Sequence, residues 1–275
     1  MSPGLQDLPE PADLHAHLSA TRPLDWGDAI PTKSEIAAQY GPQATIQSLT
    51  LLARAASVEE RVTDSMLAAM SDQATPYHLA NRVKSPQSLA RKFVKYADYY
   101  RRTKQVPEDV LRYTAAVKHP DELTRAAVRT IDRLNQQHWQ MDSAHHSYVE
   151  GSRYKGLHAF LRSWGERVEL QVHSAESIDV KERTTPLYEI ERDVQQDPVA
   201  RDAARRECIA LSDQMSQPAG IDDLKELGGV EVRAISYGKK RPAQRLDLAE
   251  TPTIASAAPE HIQQRVQNRE NGTSR

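Results

Sequence analysis

The spacing of hydrophobic positions changes along the chain, and each change marks a different kind of element. Residues 1–33 carry prolines and acids with no sustained period, so they predict an extended, adaptable N-terminal segment. Helical spacing follows over 34–77. Ile46, Leu49, Leu52 and Ala53 repeat first, then Val58, Val62, Met66 and Met70, which predicts two amphipathic helices in a helical extension. From 78 the signals alternate: a strand over 79–84, a helix over 86–104, a strand over 109–118 and a helix over 121–137 opened by Pro120. Strands at 157–163 and 167–173 are separated by Ser163, Trp164, Gly165 and Glu166, whose length and glycine suit a hairpin turn. Helical patterns cover 175–194 and 198–216. After Pro218 and Gly220 a short helix and a strand over 230–236 complete the set.

This pattern predicts an α/β (α+β) domain over 78–237, with a mixed sheet of about five strands flanked by helices. From 238 to 275 the chain is polar with sparse apolar positions, a composition that buries too little surface to order itself. At 275 residues, 39% hydrophobic and 27% charged, the whole reads as one soluble domain with extensions. A net charge of -2 gives no global attraction for polyanions, so such a contact needs a local basic surface, and one exists between Arg82 and Lys104. Cys208 is the single cysteine, which excludes an intrachain disulfide and a cysteine-rich zinc site and fits a reducing compartment. No stretch approaches the roughly 18 apolar residues of a membrane span, so the expected site of action is cytoplasmic, with no membrane partner.

Four segments carry the candidate chemistry: RVKSPQSLARK at 82–92, DVLRYT at 109–114, SRYKGLHAF at 152–160 and VELQVHS at 168–174. In the first, strand alternation sends Arg82 and Lys84 to one face, and Ser85 as N-cap with Pro86 at N1 opens a helix beside them. Two cations and a helix N-terminus suit an anionic phosphate. On that helix Leu89, Phe93, Tyr96 and Tyr100 form an apolar stripe, with Ser88, Lys92 and Lys95 on a polar one. Arg91, Arg101, Arg102 and Lys104 read as an ordinary solvated basic face.

In the fourth segment Val168, Leu170 and Val172 point one way, and Glu169, Gln171 and His173 the other. Taken alone this is as readily an edge strand with one wet face as the lining of a cleft. Asp109 with Glu169 would offer the oxygen ligands Mg2+ prefers, leaving room for phosphate and water. Tyr154 offers a flat ring for a purine, Gly156 permits close approach, and His158 adds a polar donor. Other motifs lack context. His15 and His17 sit outside any strand pattern, and His145 and His146 are adjacent, so a strand would turn them to opposite faces. Gly238 and Lys239 lack the spacing of a P-loop.

The ordered set resembles the synthetase domain of the RelA/SpoT family, especially its small, toxic single-domain branch, over residues 78–193. RVKSPQSLARK resembles that family's ATP-binding segment, ELQVHS its strand with the catalytic glutamate, and SRYKGLH its acceptor loop. The resemblance implies a nucleotidyltransferase-like fold and transfer of the β,γ-pyrophosphate of ATP to a ribose 3′-hydroxyl. It assigns Arg82, Lys84, Ser88, Lys92 and Arg112 to ATP, and Asp109 and Glu169 to catalysis and Mg2+. Tyr154, His158, Gln171 and His173 fall to the purine nucleotide acceptor. Arg112 stands three residues beyond Asp109 where the pattern has five, His173 stands at an arginine position, and Arg153 replaces a glycine. The acceptor is a purine nucleotide or the 3′-terminal adenosine of tRNA, and a silent nucleotide- or protein-binding descendant is the reading of another class. A toxic enzyme also implies a neutralising antitoxin or immunity protein.

Overall fold

The computed structural model describes residues 3–193 and 195–238. Among these, seven strands form one sheet: β1 (Ala74–Tyr77), β2 (Leu111–Val117), β3 (Gln140–His146), β4 (Leu157–Ser163), β5 (Glu166–Ser174), β6 (Glu226–Leu227) and β7 (Val230–Ala234). Their order across the sheet is β1-β2-β5-β4-β3-β7-β6. The pairs β2–β5 and β3–β7 are parallel and the rest antiparallel, so the sheet is mixed, as the sequence predicts.

Alternation in β5 sets one face. Val168, Leu170 and Val172 are buried beside Leu111, Tyr113 and Ala115 of β2 and Leu157, Ala159 and Leu161 of β4. Helix α7 (Leu123–Gln136) packs on β5 and brings Leu123, Ala127, Ile131 and Leu134 into the same core at helical spacing. Each such Leu or Ile side chain contributes roughly 1.5–3 kcal/mol by leaving water. The β4–β5 hairpin turns through Trp164 and Gly165, at φ 47° and 75°, the pair of positive values a type I′ turn requires.

The N-terminal segment departs from its expected extended form. Residues 11–19 form α1 (Pro11–Ser19), and Leu14 and Leu18 bury one side of it, joined in the core by Leu24 and Trp26. His15 hydrogen-bonds the Leu24 carbonyl at 3.0 Å. Three helices follow: α2 (Lys33–Tyr40), capped by Thr32 and Glu35, then α3 (Pro42–Ala56) and α4 (Glu59–Ala69).

The strand predicted over 79–84 lies earlier, at β1. Leu79–Asn81 form a 3-10 turn, and only Val83 bridges Leu111. Two backbone bonds, Lys84 N–H to the Val110 carbonyl and Arg112 N–H to the Arg82 carbonyl, clip this segment to the start of β2. The predicted 86–104 helix breaks at Tyr96 into α5 (Pro86–Lys95) and α6 (Ala97–Thr103). Helices α8 (Ala175–Arg192) and α9 (Pro198–Asp213) match expectation, and β3 is a strand the pattern does not reveal. Of the tail from 238 onward, all but Gly238 lies outside the described residues.

Arg82 ties these parts together. Its backbone is helical (φ -64°, ψ -24°), so strand alternation fails there and its side chain does not accompany Lys84. Nε donates to Glu59 at 2.5 Å, Nη1 to the carbonyls of Pro23 and Leu79, and Nη2 to those of Leu18 and Arg22. Arg82→Met should therefore cost about 3–5 kcal/mol in urea unfolding, because Glu59 stays buried without its cation. Adding Glu59→Leu should recover part of the loss; a single variant as stable as the parent would remove Arg82 from this role.

Candidate active site

The second face of the sheet is polar, buried over β5 and β4 and open beside β1 and β2. Strand registers align Tyr77 of β1, Thr114 of β2, Gln171 of β5, His158 of β4 and His145 of β3 in one row across it. The contacts follow the row. Thr114 Oγ1 donates to Gln171 Oε1 at 3.4 Å, Gln171 Nε2 lies 3.2 Å from His158 Nδ1, and the His158 and His145 rings stack at 4.7 Å. Glu169, in register with Arg112 and Phe160, places Oε1 2.9 Å from His158 Nδ1. Glu169 and His158 are both fully buried. The wet-edge alternative for β5 is thus excluded, since β2 and β4 flank it and all residues from 168 to 174 are buried.

The donor corner forms where α5 starts. Ser85 caps the helix by accepting from the Ser88 N–H at 3.2 Å, with Pro86 next, as predicted. Lys84 Nζ and Lys92 Nζ converge on opposite oxygens of Asp109, at 3.0 and 2.6 Å. All three side chains are buried, so two lysines share one carboxylate away from water. Burial pulls Lys84 down to about 7, Asp109 opposes that fall, and Lys92 and Arg112 add to it. Ser88 is half-buried beside this corner. Arg82 does not join it, for the reason given above.

Asp109 and Glu169 have different partners, lysines for one and a histidine for the other. Their hard carboxylate oxygens suit Mg2+, which takes one or two carboxylates and completes its shell with phosphate and water. Among the described residues, no group of three or more His, Cys, Asp or Glu side chains is placed to hold a metal. His145 and His146 turn to opposite faces of β3, as adjacency predicts; His145 joins the polar row and bonds the Tyr237 hydroxyl at 3.0 Å.

The expected acceptor residues form a sealed cluster. The Tyr154 hydroxyl lies 2.9 Å from His173 Nε2 and accepts from Gln171 Nε2 at 3.3 Å, while His173 Nδ1 meets the Ser177 hydroxyl at 3.0 Å. Gly156 makes this possible. A Cβ there would come within 2.7 Å of the His173 ring, which Tyr154 and Ser177 already hold. The loop carrying Tyr154 is strapped down from α8 and α9: Arg153 pairs with Glu191, Lys155 with Asp213 at 3.0 Å, and Ser212 Oγ donates to the Arg153 carbonyl at 2.9 Å. Tyr237 closes the other side, its N–H on Ser152 Oγ at 3.2 Å and its ring 5.9 Å from that of Tyr154. Ser177, His145 and Tyr237 were not anticipated. Ser177 had a signal in the Ser174-x-x-Ser177 cap, whereas His145 and Tyr237 reach the site only through the position of β3 and the chain after β7.

Beside this sealed cluster a shallow cleft opens between β1, β2 and α8, lined by Tyr77, His78, Asn81, Arg112, Gln171 and Lys181. Arg112 donates from Nε to the Asn81 carbonyl at 3.3 Å, and its charge acts on both Lys84 and His78, so it links donor corner and cleft.

No protein-family model matches the chain, and no curated protein matches it. Among solved structures the chain is similar to a GTP pyrophosphokinase family protein from Streptococcus pneumoniae, with 15% identity and a TM-score of 0.35 over 70% of this chain and 93% of that one. It is also similar to the small alarmone synthetase 1 from Bacillus subtilis bound to its product pppGpp, with 14% identity and a TM-score of 0.34 over 58% and 87% of the two chains. Likeness at this level carries no argument of its own, and function rests on the side-chain geometry.

Proposed function

We propose that the chain is a pyrophosphokinase of the alarmone-synthetase type, moving the β,γ-pyrophosphate of ATP to the ribose 3′-hydroxyl of a purine nucleotide. The observation that carries this reading is the buried Lys84–Asp109–Lys92 cluster at the start of α5, where two lysines share one carboxylate. Burial opposes the charged form of Lys84, and an arriving polyphosphate favours it. Transfer of this kind depends on alignment and charge neutralisation, without a covalent enzyme intermediate.

In this reading Lys84 and Lys92 hold ATP phosphates, with Ser88 beside them and the N–H groups of the first α5 turn adding partial positive charge. Glu169, backed by His158, accepts the hydrogen bond of the 3′-hydroxyl and takes its proton as the oxygen attacks the β-phosphorus. The bond from that phosphorus to the α,β-bridging oxygen breaks, and AMP departs with the electron pair. Asp109 and Glu169 would hold Mg2+, which supplies charge neutralisation at the phosphoryl oxygens when bound. Tyr154, Gln171 and His173 orient the acceptor once the loop parts from α9. Among the described residues no helix is long and apolar enough to cross a membrane.

The test is incubation with γ-labelled ATP and Mg2+, offering GDP, GTP, ADP, ATP and bulk tRNA separately. Label in a nucleotide supports the proposal. Label in tRNA moves the acceptor to its 3′-terminal adenosine, a reading favoured by the exposed Arg101, Arg102 and Lys104 on and after α6 as a phosphate track. No transfer to any acceptor leaves a binding protein. A growth-arresting product would bring a neutralising protein partner with it.

Two variants sharpen the assignment. Glu169→Gln should reduce transfer by at least 100-fold with an unchanged circular dichroism spectrum, and retained transfer would remove Glu169 from catalysis. Lys92→Met should weaken ATP binding by roughly 10-fold in calorimetry, the scale of one charge-assisted hydrogen bond; unaltered affinity would place the donor elsewhere.

A further inference from the structure

Asp109 and Glu169 sit on different segments, and the transfer needs them at one separation, since a misplacement of about 1 Å can cost about 100-fold in rate. Strand β2 begins at Leu111, level with Val168 of β5, so the chain entering it passes beside Arg167. Alternation along β5 puts Arg167 on the face of Glu169. There its Nη1 pairs with the Glu108 carboxylate. Glu108 is buried and immediately precedes Asp109, which turns instead to Lys84 and Lys92.

Arg167 is anchored in turn. Its Nε donates to Asp142 of β3. Asp142 is the extra residue of a β-bulge, because Met141 pairs with Leu161 and Ser143 with Phe160. A bulge re-aims a side chain, and here the Asp142 carboxylate also accepts from Arg162 Nε, at 2.8 Å on each oxygen. Arg162 and Arg167 are direct neighbours across the β4–β5 pair, where like charges repel, and Asp142 bridges them. Side chains of β3, β4 and β5 thus converge to fix the guanidinium that grips Glu108. None of them belongs to the donor corner or to the polar row.

A buried ion pair adds little to stability that an apolar pair of similar size would not, and its best-attested use is to fix a register. Register is what two reacting carboxylates need. The backbone bonds from Lys84 to Val110 and from Arg112 to Arg82 hold the Asp109 segment to the chain before α5, and Arg167 holds it to β5. We infer that Arg167 is a positioning residue for the transfer: by gripping Glu108 it fixes Asp109, the next residue, at a set distance from Glu169 on its own strand. This rests on the pyrophosphokinase reading and adds Arg167, Glu108 and Asp142 to it as residues that act through others.

The experiment removes both charges from the full chain, Arg167→Met with Glu108→Leu, because Arg167→Met alone leaves Glu108 buried without this cation. The readouts are amide hydrogen exchange over 105–111, ATP affinity by calorimetry, and the rate of γ-label transfer at saturating ATP and acceptor. Exchange over 105–111 should quicken about 10-fold and transfer should slow about 10- to 100-fold. ATP affinity should stay within about threefold of the parent, since Lys84 and Lys92 are untouched. Arg167→Lys keeps the cation but loses the fork that spans both carboxylates, so it should slow transfer about fivefold at parental ATP affinity; it decides the matter if the double variant does not fold. Parental exchange or a parental transfer rate in the folded variant would overturn the positioning role and leave the pyrophosphokinase reading standing. Equal losses of transfer rate and ATP affinity would also overturn it, since the pair would then serve the donor corner as a whole. A parent that transfers to no acceptor would overturn both.

Discussion

The Arg82 guanidinium is the point on which the arrangement turns. Its five N–H groups make five hydrogen bonds, one to the Glu59 carboxylate and four to carbonyls drawn from the N-terminal segment and the 3-10 turn after β1. Glu59 is shared with Thr63, whose hydroxyl meets that of Tyr113 on the apolar face of β2 at 2.7 Å. One buried ion pair thus binds the N-terminal segment, α4 and the central sheet. Because Lys84 and Ser85 follow Arg82 directly, the same pair fixes where the donor corner and the first turn of α5 begin.

The two halves of the site manage buried charge differently. At the donor corner the lysines outnumber their carboxylate, a state that favours an incoming anion. From β5 and β4 to the Tyr154 loop and α8 the polar groups instead hydrogen-bond one another in a chain, Glu169 to His158 to Gln171 to Tyr154 to His173 to Ser177. Such networks are rigid when complete and costly when broken. The donor side stands electrostatically ready, and the acceptor side stands closed.

Much of this was legible in the sequence where the signal was local. The parity of VELQVHS, the Ser85–Pro86 helix start and the Trp164–Gly165 turn each depend on a few neighbouring residues, and each holds. What failed depended on distant ones. QMDSAHH has almost no alternation of its own and becomes β3 through pairing with β4 and β7. Helix α1 buries only Leu14 and Leu18 with Pro11, too few apolar positions to stand out among prolines and acids. Arg82 was misplaced because parity presumes a continuous strand, and a helical residue there breaks it. The partners that hold Arg82 lie up to 64 positions away, beyond the reach of any pattern within the segment.

The straps over the Tyr154 loop have a kinetic meaning. With Ser212, Asp213 and Tyr237 holding that loop against the polar row, a ligand bound for His158 meets the open form of the protein only as often as those bonds part. Apparent affinity is then the intrinsic affinity multiplied by the open fraction, so each tenfold rarity of opening weakens it tenfold. Binding rates would level off at high ligand concentration, at the opening rate of the loop, and residence times would lengthen as it closes again behind its guest.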